Sequence, residues 1–271
     1  MQLSKVDSAS FQEFIWDFYS VNKRQFAWRN VDDPYLVVVS EIMLQQTQTY
    51  RVEPKFDLWI GEFPDFASLA QASLRDVLSI WQGLGYNRRA MALQKIAQRV
   101  MDQYNGQLPD NPAILETFSA IGPATAASIC AFAFNQSMVF IETNIRTVFI
   151  HTFFKNRPEV ADKEIYPLVE QTLDLSNPRD WYYALMDYGV ALKKQLPNPN
   201  RKSKHYTKQS RFDGSDRQIR GMILRELTKR SLNEGALFDV INKEPERVKN
   251  ILQDLVAEKF IIKKGNAFHI A

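Results

Sequence analysis

The apolar residues of this chain recur every three or four positions, and no run of alternating apolar and polar residues appears before the last dozen. Side chains repeat about every 3.6 residues around a helix and every second residue along a strand, so such a chain builds its core almost entirely from helices. Phe11, Phe14, Ile15 and Phe18 predict an amphipathic first helix after Ser8 and Ser10. Further helices are expected near Val52–Ile60, Phe66–Gln71, Leu74–Trp81 and Arg88–Tyr104, with a short one near Ile114–Phe118 and others over 162–173 and 179–193. The segment from Tyr35 to Gln48 holds three consecutive valines yet reads as a helix, because Leu36, Val39 and Met43 mark one buried face.

Within this helical background, Ile121-Gly122-Pro123-Ala124-Thr125 has the composition of a tight turn opening a helix. Gly122 tolerates positive φ, Pro123 suits the first helical position, and Ala124 to Phe134 is small and apolar. A helix terminus of this kind presents free backbone N–H groups to a phosphate. Seventeen residues after Thr125, Glu142 interrupts an otherwise apolar stretch, VFIETNIRTVFI. A buried acid costs free energy unless it is paired or used.

Composition excludes several classes. With 271 residues, 45% hydrophobic and 24% charged, the chain can bury a sizeable core. Its one cysteine, Cys130, rules out an internal disulfide and a cysteine-built metal cluster, and suits a reducing cytosol. His151, His205 and His269 lack metal-ligand spacing, so no metal is expected. No apolar run approaches membrane-spanning length and the first residues lack a signal-peptide core, which predicts a soluble cytoplasmic protein without a membrane partner. Net charge is only +3, but Lys193, Lys194, Arg201, Lys202, Lys204, Lys208 and Arg211 fall in one segment without an acid. That segment reads either as a solvated linker or as a cationic strap for phosphates, with Lys202, Lys204 and Lys208 as contacts.

The stretches SEIMLQQTQ (Ser40–Gln48), WQGLGYNRRA (Trp81–Ala90), FSAIGPATA (Phe118–Ala126) and MDYGVA (Met186–Ala191) carry a family resemblance. From about Phe11 to Leu192 the chain resembles the helix-hairpin-helix DNA glycosylases, the superfamily of endonuclease III and the MutY-type adenine glycosylases. The first stretch is the most specific. The hairpin keeps the second glycine and the Thr-Ala of the family's Leu-Pro-Gly-Val-Gly-x-x-Thr-Ala, and loses the proline and the first glycine.

The resemblance implies an all-α glycosylase fold of two helical subdomains: residues 31–136 as a helical barrel with the hairpin, and residues 1–30 with 137–212 as the other. It implies a monofunctional glycosylase that excises a flipped-out mispaired adenine or another purine from double-stranded DNA. Glu41 would protonate the base and Glu142 stand in place of the family's catalytic Asp, with Glu41 raised in pKa and Glu142 ionised. Ile121, Gly122, Ala124 and Thr125 of the hairpin would hold the DNA backbone, and Gln46 and Tyr86 would enter the base stack. For Tyr86 the other reading is packing over its turn. Asn144 either hydrogen-bonds the acid or DNA, or caps a helix. Trp28 and Arg29 either line the base pocket or, for Trp28, pack in the core. Bifunctional relatives carry a Schiff-base lysine where this chain has Ala124, which implies no strand cleavage. The family's four iron–sulfur cysteines fall on Lys193, Asn200, Ser203 and Gln209, so no cluster and no other cofactor is expected, with other contacts holding that loop. A monomer is expected. The rival functions are a uracil or thymine mismatch glycosylase on the same scaffold, and a non-catalytic DNA-binding protein, against which the retention of both acids argues.

From Asp213 the pattern changes. Ile219, Met222, Ile223 and Leu227 mark one helix, Leu237–Ile241 a second, and Val248, Ile251, Leu252, Leu255 and Val256 a third. Phe260 to Ile270 alternates around Lys264-Gly265-Asn266, the signature of a β-hairpin. Residues 213–271 are therefore expected to form a small winged-helix-like α+β domain that either grips DNA or braces the enzyme, with no evident pocket for a single base.

Overall fold

The computed structural model describes residues 2–29 and 31–271. Its helices are α1 (Lys5–Asn22), α2 (Pro34–Leu44), α3 (Thr49–Glu62), α4 (Phe66–Gln71), α5 (Leu74–Trp81), α6 (Arg88–Tyr104), α7 (Pro112–Leu115), α8 (Pro123–Phe134), α9 (Thr143–Phe153), α10 (Asp162–Thr172) and α11 (Pro178–Gln195). After a 3₁₀ turn at Pro199–Lys202 come α12 (Asp216–Lys229), α13 (Glu234–Ile241) and α14 (Pro245–Ala257). The strands are β1 (Leu232–Asn233), β2 (Ile261–Lys264) and β3 (Ala267–Ile270), in the antiparallel order β1-β3-β2. No described helix is long and apolar enough to cross a membrane.

Local chemistry sets the helix ends. Ser4 and Asp7 form a reciprocal capping box that starts α1 four residues earlier than Ser8 suggests, and Phe11, Ile15 and Tyr19 make its buried stripe. Asp65 caps α4, Ser73 caps α5, and Asn111 accepts from two amides of α7. The α2 run is helical as expected, and Val37, Val38, Val39, Ile42 and Met43 are all buried.

The chain divides into two compact units, one formed by residues up to Val37 with Pro109–Lys208, the other by Val38–Leu108 with Gln209–Ala271. These boundaries differ from the expected ones. The hairpin lies in the same unit as α1 because α8 packs on α7 and α11, and residues 209–271 lie with 38–108 because α12 packs on α5. In the first unit Phe11 meets the rings of Phe149, Phe153 and Trp181, and Ile15, Ile145 and Val148 are fully buried.

In the second unit Trp59 stacks edge-on against Phe63 and Trp81. Arg75 donates to the Thr228 carbonyl at 3.0 Å and Gln82 to its hydroxyl at 2.9 Å. The C-terminal helices and hairpin appear where expected. β1 is an addition, since two residues are too short to show alternation; it pairs Leu232 with Phe268.

Candidate active site

Glu142 is the N-cap of α9, with extended backbone (φ −109°, ψ 176°). One carboxylate oxygen accepts from the backbone N–H groups of Asn144 at 2.6 Å and Ile145 at 2.8 Å, and the other accepts from the Asn144 side-chain amide at 3.2 Å. The cap is thus the acid itself, and Asn144 takes the alternative role of hydrogen-bonding it; the Asn144 Oδ1 atom is buried without a hydrogen-bond partner.

Burial pushes the Glu142 carboxyl above the usual carboxylate range, while the two amides and the charges of Lys193 and Arg146 pull it down. Burial opposes the charge on Glu142, and the helix N-terminus and two cations work against burial. The helix that carries this cap is seated by Gly189 of α11, where a Cβ would meet the Asn144 carbonyl oxygen at 2.4 Å.

The hairpin differs from its expected geometry in one respect. Gly122 caps α8 at φ −95°, and the left-handed residue is Ala120 at φ 61°. Ala120 occupies the place of the family motif's first glycine, the residue type that this backbone favours. Ile121 is buried in the turn, whereas Gly122, Pro123 and Ala124 are exposed and Thr125 half-buried at the start of α8.

In the second unit, Glu41 is half-buried on the last turns of α2, following buried Ser40. The turn after this helix is organised by Arg89, which is 6% exposed. Its guanidinium donates to the carbonyls of Ile42, Met43 and Gln45, to the Thr47 hydroxyl, and to the carbonyls of Leu84 and Gly85. One buried cation therefore caps the end of the Glu41 helix and fixes both the Gln46 turn and the Tyr86 turn. Burial lowers its pKa to about 10. Sequence reasoning missed Arg89, although its place in WQGLGYNRRA was the available signal.

Gln46 is exposed at φ 54° and Tyr86 half-buried at φ 47°, two left-handed non-glycine residues held by the same side chain. The Tyr86 hydroxyl accepts from Gln209 and from Arg217, each at 2.6 Å, so the C-terminal residues hold the tyrosine. A cavity of about 470 Å³ opens there, lined by Gln45, Gln46, Tyr86, Arg217, Arg220 and Glu258 among others. The C-terminal helices α12 and α14 thus line a cavity jointly with the Gln46 and Tyr86 turns.

Trp28 is buried and stacked on Phe26 at 4.8 Å. Arg29 makes a bidentate pair with Asp187, 2.8 Å on each arm, and lies over the Tyr183 ring. Arg24 adds 2.6 and 2.9 Å contacts to the same carboxylate, which explains Asp187 in MDYGVA. In the basic segment Lys202 donates to the Lys155 carbonyl, Lys204 pairs with Glu159, and Lys208 is exposed. The family's cluster does not fit this loop. Lys193, Asn200, Ser203 and Gln209 are not iron ligands, and Cys130 is buried on α8 with its thiol on the Asp110 carbonyl. The loop is held instead by Val160, whose N–H donates to the Lys202 carbonyl and whose carbonyl accepts from Lys204, with Asn200 and Ser203 buried. Among the described residues no cluster of ligating side chains suits a metal ion.

A family model described as an HhH-GPD superfamily base excision DNA repair protein matches residues 39–171, spanning Glu41, the hairpin and Glu142. The chain is 31% identical to the adenine DNA glycosylase of Rattus norvegicus over 202 residues, 69% of this chain and 38% of the relative. It is 29% identical to that of Buchnera aphidicola subsp. Baizongia pistaciae over 183 residues, 67% of this chain and 52% of the relative. The chain thus spans about half the length, or less, of these curated relatives. Among solved structures, a thermostable thymine-DNA glycosylase aligns with a TM-score of 0.60 at 23% identity, covering 68% of this chain and 86% of that one. A non-covalent endonuclease III–DNA complex aligns at 0.60 and 15% identity, covering 72% and 91%. At these identities the structures establish a shared fold alone, while residues 39–171 match the HhH-GPD superfamily of base excision DNA repair proteins.

Proposed function

We propose that this protein is a monofunctional DNA glycosylase that hydrolyses the N-glycosidic bond of a mispaired adenine, or another purine, flipped out of duplex DNA. The observation that carries the reading is Glu142, a carboxylate held at a helix N-terminus despite burial, in a chain whose relatives are named adenine DNA glycosylases. Cleavage of the bond builds positive charge on the sugar and negative charge on the departing base. Glu142 offers its carboxylate to the first, and Glu41 donates a proton to the second. Water adds to C1′ and leaves an abasic site, and Ala124 supplies no amine for a covalent sugar adduct. The exposed start of α8 and Lys208 hold phosphates, and Gln46 and Tyr86 support the gap left by the flipped base. The reading places a monomer in the cytoplasm, on double-stranded DNA.

Single-turnover excision of adenine opposite guanine and opposite 8-oxoguanine tests it, with uracil and thymine opposite guanine alongside. Glu41→Gln is expected to keep folding and DNA binding while lowering excision at least ~10²-fold, as loss of a general acid does. Equal turnover in the variant would remove Glu41 from the chemistry, and excision of the pyrimidines alone would replace the substrate.

A further inference from the structure

Lys193 is a charged group on the helix that packs against the start of α9, and this chemistry leaves it unused. It lies in the last turn of α11, four residues beyond Gly189. Residues four apart share a helix face, and Gly189 is pressed against Asn144, so the stripe that carries Lys193 is the one turned to the start of α9. The two charges act on each other: Lys193 favours the ionised form of Glu142, and Glu142 favours the protonated form of Lys193.

The neighbouring charges are otherwise committed. Arg146 of α9 is bound by both oxygens of Asp162 from α10, at 2.7 Å each. Arg24 and Arg29 share Asp187 of α11. Lys193 forms no ion pair at contact distance among the described residues. Burial and the Arg24 charge weaken its own hold on a proton, and Glu142 strengthens it. We infer that Lys193 is a positioning residue that keeps Glu142 ionised, so that a carboxylate rather than a carboxylic acid faces the cation forming on the deoxyribose. The inference rests on the glycosylase reading for its purpose, though the charge coupling itself does not.

The test is the titration of Glu142 by carbon NMR of glutamate-labelled protein, its resonance assigned with Glu142→Gln, together with the pH profile of single-turnover excision. In Lys193→Met the Glu142 midpoint is expected to move up by ~1 pH unit, a size typical of a lost neighbouring charge. Excision on the acidic limb then falls about tenfold and recovers as the pH rises. Lys193→Arg, which keeps the charge, leaves both where they were. A Glu142 midpoint that stays put in Lys193→Met, or moves as far in Lys193→Arg, overturns the inference. Should Lys193→Met fail to fold, the reciprocal measurement decides: the Lys193 ammonium midpoint falls in Glu142→Gln, and an unchanged midpoint counts against the coupling. The NMR titrations need no substrate, so a protein that excises no base refutes the glycosylase reading while the coupling is still measured.

Discussion

Single residues carry the departures from regular geometry. Ala120 holds a left-handed backbone at φ 61° in the hairpin turn. An L-residue pays about 1–2 kcal/mol there, and glycine gives back part of the gain through a freer unfolded chain. Ala120→Gly is expected to raise stability by ~0.5–1 kcal/mol, read from urea denaturation.

Asp187 is the opposite case, a buried carboxylate satisfied by two arginines. Burial alone would raise its pKa, but the hydrogen bonds and charges of Arg29 and Arg24 hold it below the usual carboxylate range. A depressed carboxyl stabilises the fold above its unfolded pKa of about 3.9, and that contribution is lost as the pH falls through the folded value. Asp187→Asn leaves the Arg29 guanidinium buried and unpaired, which costs about 3–5 kcal/mol at neutral pH. The difference from the unaltered protein should shrink as the pH falls below about 4, where the unfolded chain takes up a proton before the native carboxylate does; a gap constant with pH would contradict the assignment.

At the scale of elements, the contact between α9 and α11 decides where the Glu142 cap sits. A Cβ at position 189 would stand 2.4 Å from the Asn144 carbonyl oxygen and 2.8 Å from its Cβ, and backbone cannot yield as a flexible side chain can. Gly189→Ala should therefore cost at least ~1–3 kcal/mol of overpacking and displace the acid. A displacement of about 1 Å at a reacting group is worth ~10²-fold in rate. Gly61→Ala is the control: nothing lies within 4 Å of its Cβ, and alanine favours the helix by up to about 1 kcal/mol. A melting temperature unaffected by Gly189→Ala would show that the two helices separate without cost.

At the scale of the molecule, the C-terminal residues are part of the second unit. The hydrogen bonds of Thr228 to Arg75 and Gln82, those of Arg217 and Gln209 to Tyr86, and the Arg88–Glu258 ion pair bind them to residues 38–108. Removing residues 209–271 should lower the thermal midpoint and free the Tyr86 ring, seen as altered tyrosine fluorescence. An unchanged midpoint would mean that these residues form an appended module.

Helical periodicity, turn residues and short motifs were legible from the chain because they depend on residues near one another in sequence. They include the α2 helix, the hairpin, the C-terminal helices and both acids. The position of positive φ was not legible, since Ala120 and Gly122 differ in backbone only once the turn is packed. Nor were the roles of Arg89, Asp187 and Lys193. Each is a charge whose meaning comes from partners far away in sequence: Arg89 from carbonyls on α2, Asp187 from Arg24 and Arg29, and Lys193 from Glu142. Sequence determined which segments are helical and which acids are available, because those depend on local propensity and pattern. Tertiary structure decided how each buried charge is balanced, because that balance depends on distance through a low-dielectric interior.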